Sequence, residues 1–510
     1  MKISRRQFVG SLLIGGTLGS AGLGRAGDAA SARGAPGKRA SIEHAFIGYP
    51  VSMASGVPRA AWSAAPGETV HFALSADNRI KPHLYMQSIS GEQVHAFGET
   101  TINSQDFLTD TPWLDGAGYV PTISWTIPDN LESGAYFLNG LADVFVNVRA
   151  TALAANRRLP HSLKTAVLLP TNTVNAYSTT LERSTYAHPV RVPVVSFLRP
   201  FNATHGQSWQ GTVKWLSEEP LFGQPRFLID QDLERHDVLQ GVELLVIAGH
   251  SEYWTRRARE VFDAFIARGG HAIVASGNAM WWQVRYEDDG QRMVSYKGYD
   301  PAFGVDPEPD PLLVTRSWLG NALGMPIANS IGGDFERGGF GSHRKGLNVQ
   351  GTGLRVADAD HPLFAGLELR ACDNLDFGGV REYDGAPILG LDARGRPVAD
   401  RAGLGAHRLE ILAYEWTKRG GAITLATAHI FQARPAGGVV LHLGAPEASN
   451  GLAAGCKVMR QVCHEYVRRI LSGESLFSNR PAAEVAFAIH TPWKKTVPLM
   501  KDWCGDVPSV

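Results

Sequence analysis

The sequence predicts an α/β protein in two parts: an all-β, sandwich-like domain over residues 42–150, followed by a doubly wound open-sheet domain over residues 160–475. Three observations carry that expectation. From residue 160 onward, short apolar runs alternate with helical stretches, the pattern of helices covering both faces of a parallel sheet. Before residue 150 the runs read as strands parted by Pro, Gly and Asp-Asn turns, with no helical period. At 510 residues the chain is too long for one ordinary core.

In chain order, residues 1–32 read as an export signal. Arg5 and Arg6 stand side by side before an apolar, Gly-rich run from Val9 to Leu23, and Ala30, Ser31 and Ala32 offer a small-residue cleavage site. The run is short and broken by glycine, which argues against a membrane span. Twin-arginine export to the periplasm or beyond is the expectation, with residues 33–41 as a linker. In the β domain, Thr69–Leu74 and Tyr136–Leu138 read as strands, and Pro66–Phe72 and Ile123–Asp129 as edge strands with turns. Its Trp and Tyr residues read as core, and no catalytic constellation stands out.

In the second domain the expected strands are Ala166–Leu169, Val194–Phe197, Arg226–Ile229, Val242–Ala248, Ala272–Ala275, Ile423–Ala426 and Val439–Leu443. Val242–Ala248 is nearly all apolar, as a strand buried on both faces must be. Gly249 breaks it. Ala258, Phe262, Phe265 and Ile266 then fall on one helix face, with Thr255 as N-cap and Gly269-Gly270 as the stop. His250, Ser251, Glu252 and Tyr253 thus lie at the carboxyl end of a strand, where open α/β sheets bind ligands. The polar stretch Gln283–Pro311 reads as an insertion or lid. Cys456–Leu471 reads as a docking helix with Val458, Val462, Tyr466 and Ile470 on one face, and residues 476–510 as an irregular tail.

Composition excludes some functions. Basic and acidic residues balance at 49 each, so there is no electrostatic grip on nucleic acid. Four cysteines are too few for a disulfide scaffold. Cys456 and Cys463 lie two helical turns apart, roughly 10 Å, too far to bridge. Cys372 and Cys504 are left as a candidate pair.

Chemistry concentrates in four loops: Pro170–Ser178, Ser184–Tyr186, His250–Glu252 and Ser276–Trp282. Loops at the carboxyl ends of neighbouring parallel strands converge, which brings Tyr177, Glu252 and Asn278 to one rim with Tyr186 nearby. These segments, with Val195–Pro200 and Gly249–Trp254, resemble the large (beta) subunit of N,N-dimethylformamidase, closely over residues 164–300 and loosely to about 475. The resemblance implies a glutamine-amidotransferase-like α/β fold without the amidotransferase cysteine. It implies a mononuclear iron held by Tyr177, Tyr186 and Glu252, with His250 and Asn278 handling substrate. Phenolate and carboxylate are hard anionic donors suited to ferric ion, and three of them neutralise its charge. His250 would relay a proton and Asn278 would meet a developing oxyanion. Glu382 and Glu415 are candidates for a further acid or base on residue type alone.

The expected activity is therefore metal-dependent hydrolysis of the C–N bond of a small amide. The need for a small partner subunit and self-association both stay open, and no membrane contact is expected beyond export. Other readings stand beside it. The tyrosines would be ordinary half-buried ones, Glu252 would pair with Arg256 or Arg257, and Asn278 would be a left-handed turn residue. Ser251 has the strand–turn–helix setting of a nucleophile, without the second Gly of that motif, and would need His429 or His464 with Asp373 or Asp376. A non-catalytic periplasmic binding or scaffold protein is the third class.

Overall fold

A computed structural model describes residues 46–488, except 140, 142, 151–158, 182, 187–190, 203–207, 301–302, 342–352, 376–381, 421, 479 and 482. The expected signal, the linker, Asp376, Cys504 and the tail beyond 488 lie outside the described residues. Among the described residues no helix is long and apolar enough to cross a membrane.

The first part is built from β-strands, with one short helix, Pro112–Asp115, that the all-β expectation did not include. One sheet orders Arg59–Ala60, Phe46–Ser52, Thr69–Ala76 and Pro121–Thr126. The other orders Ser63–Ala64, Phe145–Val148, Gly134–Leu138, His83–Ser88 and Gln93–Glu99. Phe72, Leu74 and Trp125 of the first sheet share a core with Met86, Leu138 and Val146 of the second. Alternation along the strands makes this possible, since every second side chain faces inward.

The second part is mixed α/β. In chain order it contains β1 (Thr165–Leu169), α1 (Thr171–Tyr177), β2 (Val194–Ser196), α2 (Ser208–Ser217), β3 (Arg226–Ile229), β4 (Leu244–Ala248), β5 (Tyr253–Thr255) and α3 (Arg256–Ala267). There follow β6 (His271–Ala275), β7 (Trp282–Glu287), β8 (Arg292–Val294), β9 (Gly339–Phe340) and β10 (Glu382–Gly385). After these come β11 (Arg408–Arg419), β12 (Ala422–Gln432), β13 (Val440–His442), α4 (Ala448–Ala453) and α5 (Lys457–Ser472).

The main sheet runs β3-β1-β4-β6-β13-β12-β11-β9-β10. Its first five strands are parallel and its remaining pairings antiparallel. Alternate residues of the parallel strands enter two cores. Val167, Leu169 and Val246 pack with α2 and α5, while Leu168, Leu245 and Ile247 pack with α3. The first of these cores also holds Trp62, Phe137 and Phe145 of the β part, and Trp62 Nε1 donates to Phe197 O. The two parts therefore share buried surface.

Three expectations need correction. The sheet is not parallel throughout: Ile423–Ala426 belongs to the 11-residue β12, paired antiparallel on both sides. Val194–Ser196 joins a separate four-stranded sheet with β8, β7 and β5. The polar stretch after Gln283 is not an irregular lid at its start. β7 and β8 form a hairpin that buries Val284, Met293 and Val294. Gln291 N donates to Asp288 O across a turn centred on Asp289 and Gly290, at φ 48° and 82°. Two left-handed residues are what a tight hairpin turn requires. Cys456 and Cys463 are free, Cys463 is buried, and Cys372 is disulfide-bonded.

Where β12 meets β13, His429 lies opposite His442, both fully buried, with ring centroids 4.9 Å apart. Gly444 N donates to His442 Nδ1, while His429 Nε2 faces Ile331 O and Nδ1 faces Thr427 Oγ1. Each ring is held neutral, and burial pushes both down to about 3. The unfolded chain takes up protons near pH 6.5 that the folded chain refuses. The contribution of this pair to stability is thus lost as pH falls from about 6.5 toward 3, by about 1.4 kcal/mol per pH unit for each imidazole. Asp384, whose Oδ2 lies 3.1 Å from His442 Nε2, is raised by burial to about 7 and acts in the opposite direction over the same range. The test therefore reads the rings themselves: the imidazole NMR signals of His429 and His442 should stay those of the neutral form from pH 7 to pH 4, and protonation of either ring in the folded protein would contradict the buried neutral pair.

Candidate functional site

Numbered by their place in the chain, the five parallel strands run 2-1-3-4-5 in space, so the order reverses between β1 and β4. Such a reversal opens a crevice at the carboxyl ends of the strands. The chain turns sharply there. Gly249 leaves β4 at φ 68°, and Asn278 follows β6 at φ 49°. At Gly277 a Cβ would sit 2.7 Å from Glu382 O and from Pro446 Cδ, so only glycine lets β10 come this close. α1 starts directly after β1 and ends on Tyr177. Thr185 N and Oγ1 both donate to Ala176 O, which ties the Tyr186 loop to the end of that helix.

The three oxygen-bearing side chains meet. Tyr177 Oη donates to Glu252 Oε2 at 2.9 Å, and Tyr186 Oη lies 3.2 Å from Oε1 and 3.4 Å from Oε2. The two phenol rings stack at 4.1 Å, 16° from parallel. Asn278 Nδ2 reaches Glu252 Oε1 at 3.2 Å and Glu382 Oε2 at 3.0 Å. His250 Nε2 stands between the same carboxylates, 3.4 Å from Glu252 and 3.5 Å from Glu382, while Nδ1 is 3.1 Å from Gly277 O. Tyr253 Oη donates to Tyr186 Oη at 2.7 Å, and Lys297 Nζ lies 3.4 Å above the Tyr186 ring, a cation–π distance.

Burial, reinforced by Glu252, holds both phenols well above their ordinary range, so without metal they stay protonated and donate. Burial alone would raise Glu252, but His250, Lys297 and the Tyr177 hydroxyl outweigh it and keep the carboxylate below its usual range. Burial opposes charge on His250, yet Glu252 and Glu382 lift it to about 9. Glu382 is raised, first by burial and then by Glu252. The result is one depressed and one raised carboxylate across a cationic imidazole.

The donor set suits a hard cation. Oxygen separations of 2.9, 3.2 and 3.4 Å match the edges, about 2.8–3.6 Å, of a coordination shell with metal–oxygen bonds of about 2.0–2.2 Å. Among the described residues no group of three His, Cys, Asp or Glu forms a metal site, so a metal here would depend on the phenols. Asn278 is turned so that Nδ2 serves two carboxylates, leaving Oδ1 buried without a donor. In that setting it holds the acids apart rather than presenting a free N–H.

The alternative roles can be placed too. Arg256 and Arg257 pair with Glu260, one turn on, not with Glu252. Thr255 caps α3 by accepting Ala258 N, as expected. Ser251 is 1% exposed, and its Oγ accepts Trp254 Nε1 at 3.0 Å. His429 is committed to Ile331 and Thr427, His464 to Glu219, and Asp373 Oδ2 to Arg370 N. Glu415 is bound by Tyr383 Oη. A Ser251→Ala variant should therefore keep the full rate of whatever reaction this site supports, at a stability cost of about 1 kcal/mol. A loss of about 100-fold or more would revive the serine reading.

Neither Lys297 nor the Tyr253 hydroxyl contact carries a signal in the sequence, and Glu382 is marked there by residue type only. Lys297 has φ 58° in a polar stretch with no motif around it. A family model described as "N,N-dimethylformamidase beta subunit-like, C-terminal" matches residues 85–458, well over half of the chain. A search of curated proteins finds no match.

Proposed function

The chain belongs to the N,N-dimethylformamidase beta subunit-like family, and from that premise we propose that it is an iron-dependent amidohydrolase cleaving the C–N bond of a small amide. The observation that carries the proposal is the meeting of Tyr177, Tyr186 and both oxygens of Glu252 at the strand-order reversal. Tyr177, Tyr186 and Glu252 would hold the ion as three anionic oxygen donors, the phenols giving up their protons as it enters. Bound there, ferric iron would polarise the amide carbonyl and acidify water.

The remaining steps fall to the protein. Glu382, raised by burial, would accept the proton of the attacking water and return it to the amide nitrogen as the C–N bond breaks. His250, in reach of both carboxylates, would carry charge and proton between them. Asn278 fixes the distance between Glu252 and Glu382. The products are a carboxylic acid and an amine. The family is named for a subunit, so a companion subunit belongs to this reading. Export by the twin-arginine route fits it, because that route carries folded proteins and would deliver the metal in place.

The test is direct. Iron-loaded protein is incubated with N,N-dimethylformamide and a panel of simple primary and secondary amides, and amine release is followed. Iron-dependent release from at least one amide is expected. No release from any amide, by protein with full iron content, would favour the binding or scaffold alternative.

A further inference from the structure

α1 is a short helix with a buried polar surface. Thr171, Asn172, Thr173 and Asn175 are each at most 1% exposed. Buried polar groups cost free energy unless partnered, and so short a helix is not stable by itself. Its start also lacks a local cap, because Pro170 occupies the N-cap position without a side-chain acceptor.

A carboxylate from the next strand fills that place. β1 and β3 run parallel with Leu169 opposite Ile229, so Pro170 and Asp230 leave the sheet side by side. Asn172 N donates to Asp230 Oδ2 at 2.7 Å, and Thr171 Oγ1 donates to the same oxygen at 3.3 Å. Asp230 N donates back to Thr171 Oγ1 at 3.3 Å. Negative charge at this end also suits the helix dipole.

The same turn grips the neighbouring strand end. Asn172 Nδ2 donates to Tyr253 O at 3.1 Å and its Oδ1 accepts Tyr286 Oη at 2.8 Å. Thr173 Oγ1 accepts Glu252 N at 2.9 Å. One end of α1 thus holds the backbone of Glu252, and the other end carries Tyr177.

We infer that Asp230 is a positioning residue for the metal site, capping α1 from across the sheet and so fixing Tyr177 and Glu252 relative to each other. It touches neither ligand, and its effect passes through Thr171, Asn172 and Thr173. The inference rests on the iron reading for its function, but the cap itself is independent of metal. Burial pushes Asp230 up to about 7, so an amide at this position keeps the acceptor while removing a costly charge.

The experiment compares wild type, Asp230→Ala and Asp230→Asn in the full chain. Iron affinity is measured by chelator competition, and peptide-level hydrogen exchange over 171–177 and 250–255 is followed in iron-free protein. Asp230→Ala should weaken iron binding by up to about 10-fold, the low end of what a group bonded directly to a ligand is worth, because it acts at one remove, and should deprotect both segments. Asp230→Asn should restore both, since asparagine caps about as well as aspartate. Wild-type affinity and exchange in Asp230→Ala would overturn the inference. A wild type that binds no iron would overturn the functional reading alone, with the exchange comparison still deciding the cap. Should Asp230→Ala not fold, Thr173→Val removes only the hydroxyl that receives Glu252 N, and unchanged iron affinity in that variant would equally overturn the inference.

Discussion

Tyr177→Phe should leave a folded protein that no longer holds iron. The substitution keeps the ring that stacks on Tyr186 at 4.1 Å and removes one oxygen of the three. It deletes an anionic donor and the hydroxyl that supports Glu252 at 2.9 Å. Losing a ligand outright should cost more than the 10–100-fold typical of groups behind the ligands, so affinity should drop by more than about 100-fold. The phenolate-to-iron absorption should weaken or vanish with it. Without metal the cost is one hydrogen bond to a buried carboxylate, about 1–3 kcal/mol, so the fold should survive. Metal analysis of the purified variant checks this, and iron at the wild-type level would remove Tyr177 from the ligand set.

Glu382→Gln should do the reverse, keeping iron and losing turnover. Its carboxylate lies 3.0 Å from Asn278 Nδ2 and 3.5 Å from His250 Nε2. Glutamine keeps the shape and an acceptor for Asn278 but cannot take up a proton. Removing a general base lowers rates by about 10²–10⁴-fold, and the loss should fall on kcat with KM little changed. Steady-state kinetics beside iron analysis separates the outcomes. If iron is lost together with turnover, Glu382 supports the structure; if turnover persists, another group moves the proton.

What could be read in advance follows from how local the determining contacts are. The apolar run ending at Ala248, the break at Gly249 and the cap at Thr255 are short-range signals, and they placed His250 and Glu252 at a strand end. Tyr177 was legible for the same reason, one short helix after β1. Glu382 was not, because it reaches the rim on β10, a four-residue strand at the antiparallel end of the sheet. Its partner Asn278 lies 104 residues away, and no periodicity spans that distance. Asp230 was invisible as a cap because a lone acid after a strand looks like any loop residue. Only the register of β1 against β3 shows what it faces. The polar hairpin of β7 and β8 was misread because Asp288 and Asp289 resemble loop composition. Asp289 and Gly290, both left-handed, instead turn the chain between strands that bury Val284, Met293 and Val294.

Iron-edge anomalous diffraction from crystals of iron-replete protein tests the centre of the account. A single anomalous peak is expected about 2.0–2.2 Å from Tyr177 Oη, Tyr186 Oη and a carboxylate oxygen of Glu252. A peak elsewhere in the chain, or none at these oxygens in protein that hydrolyses amides, would contradict it.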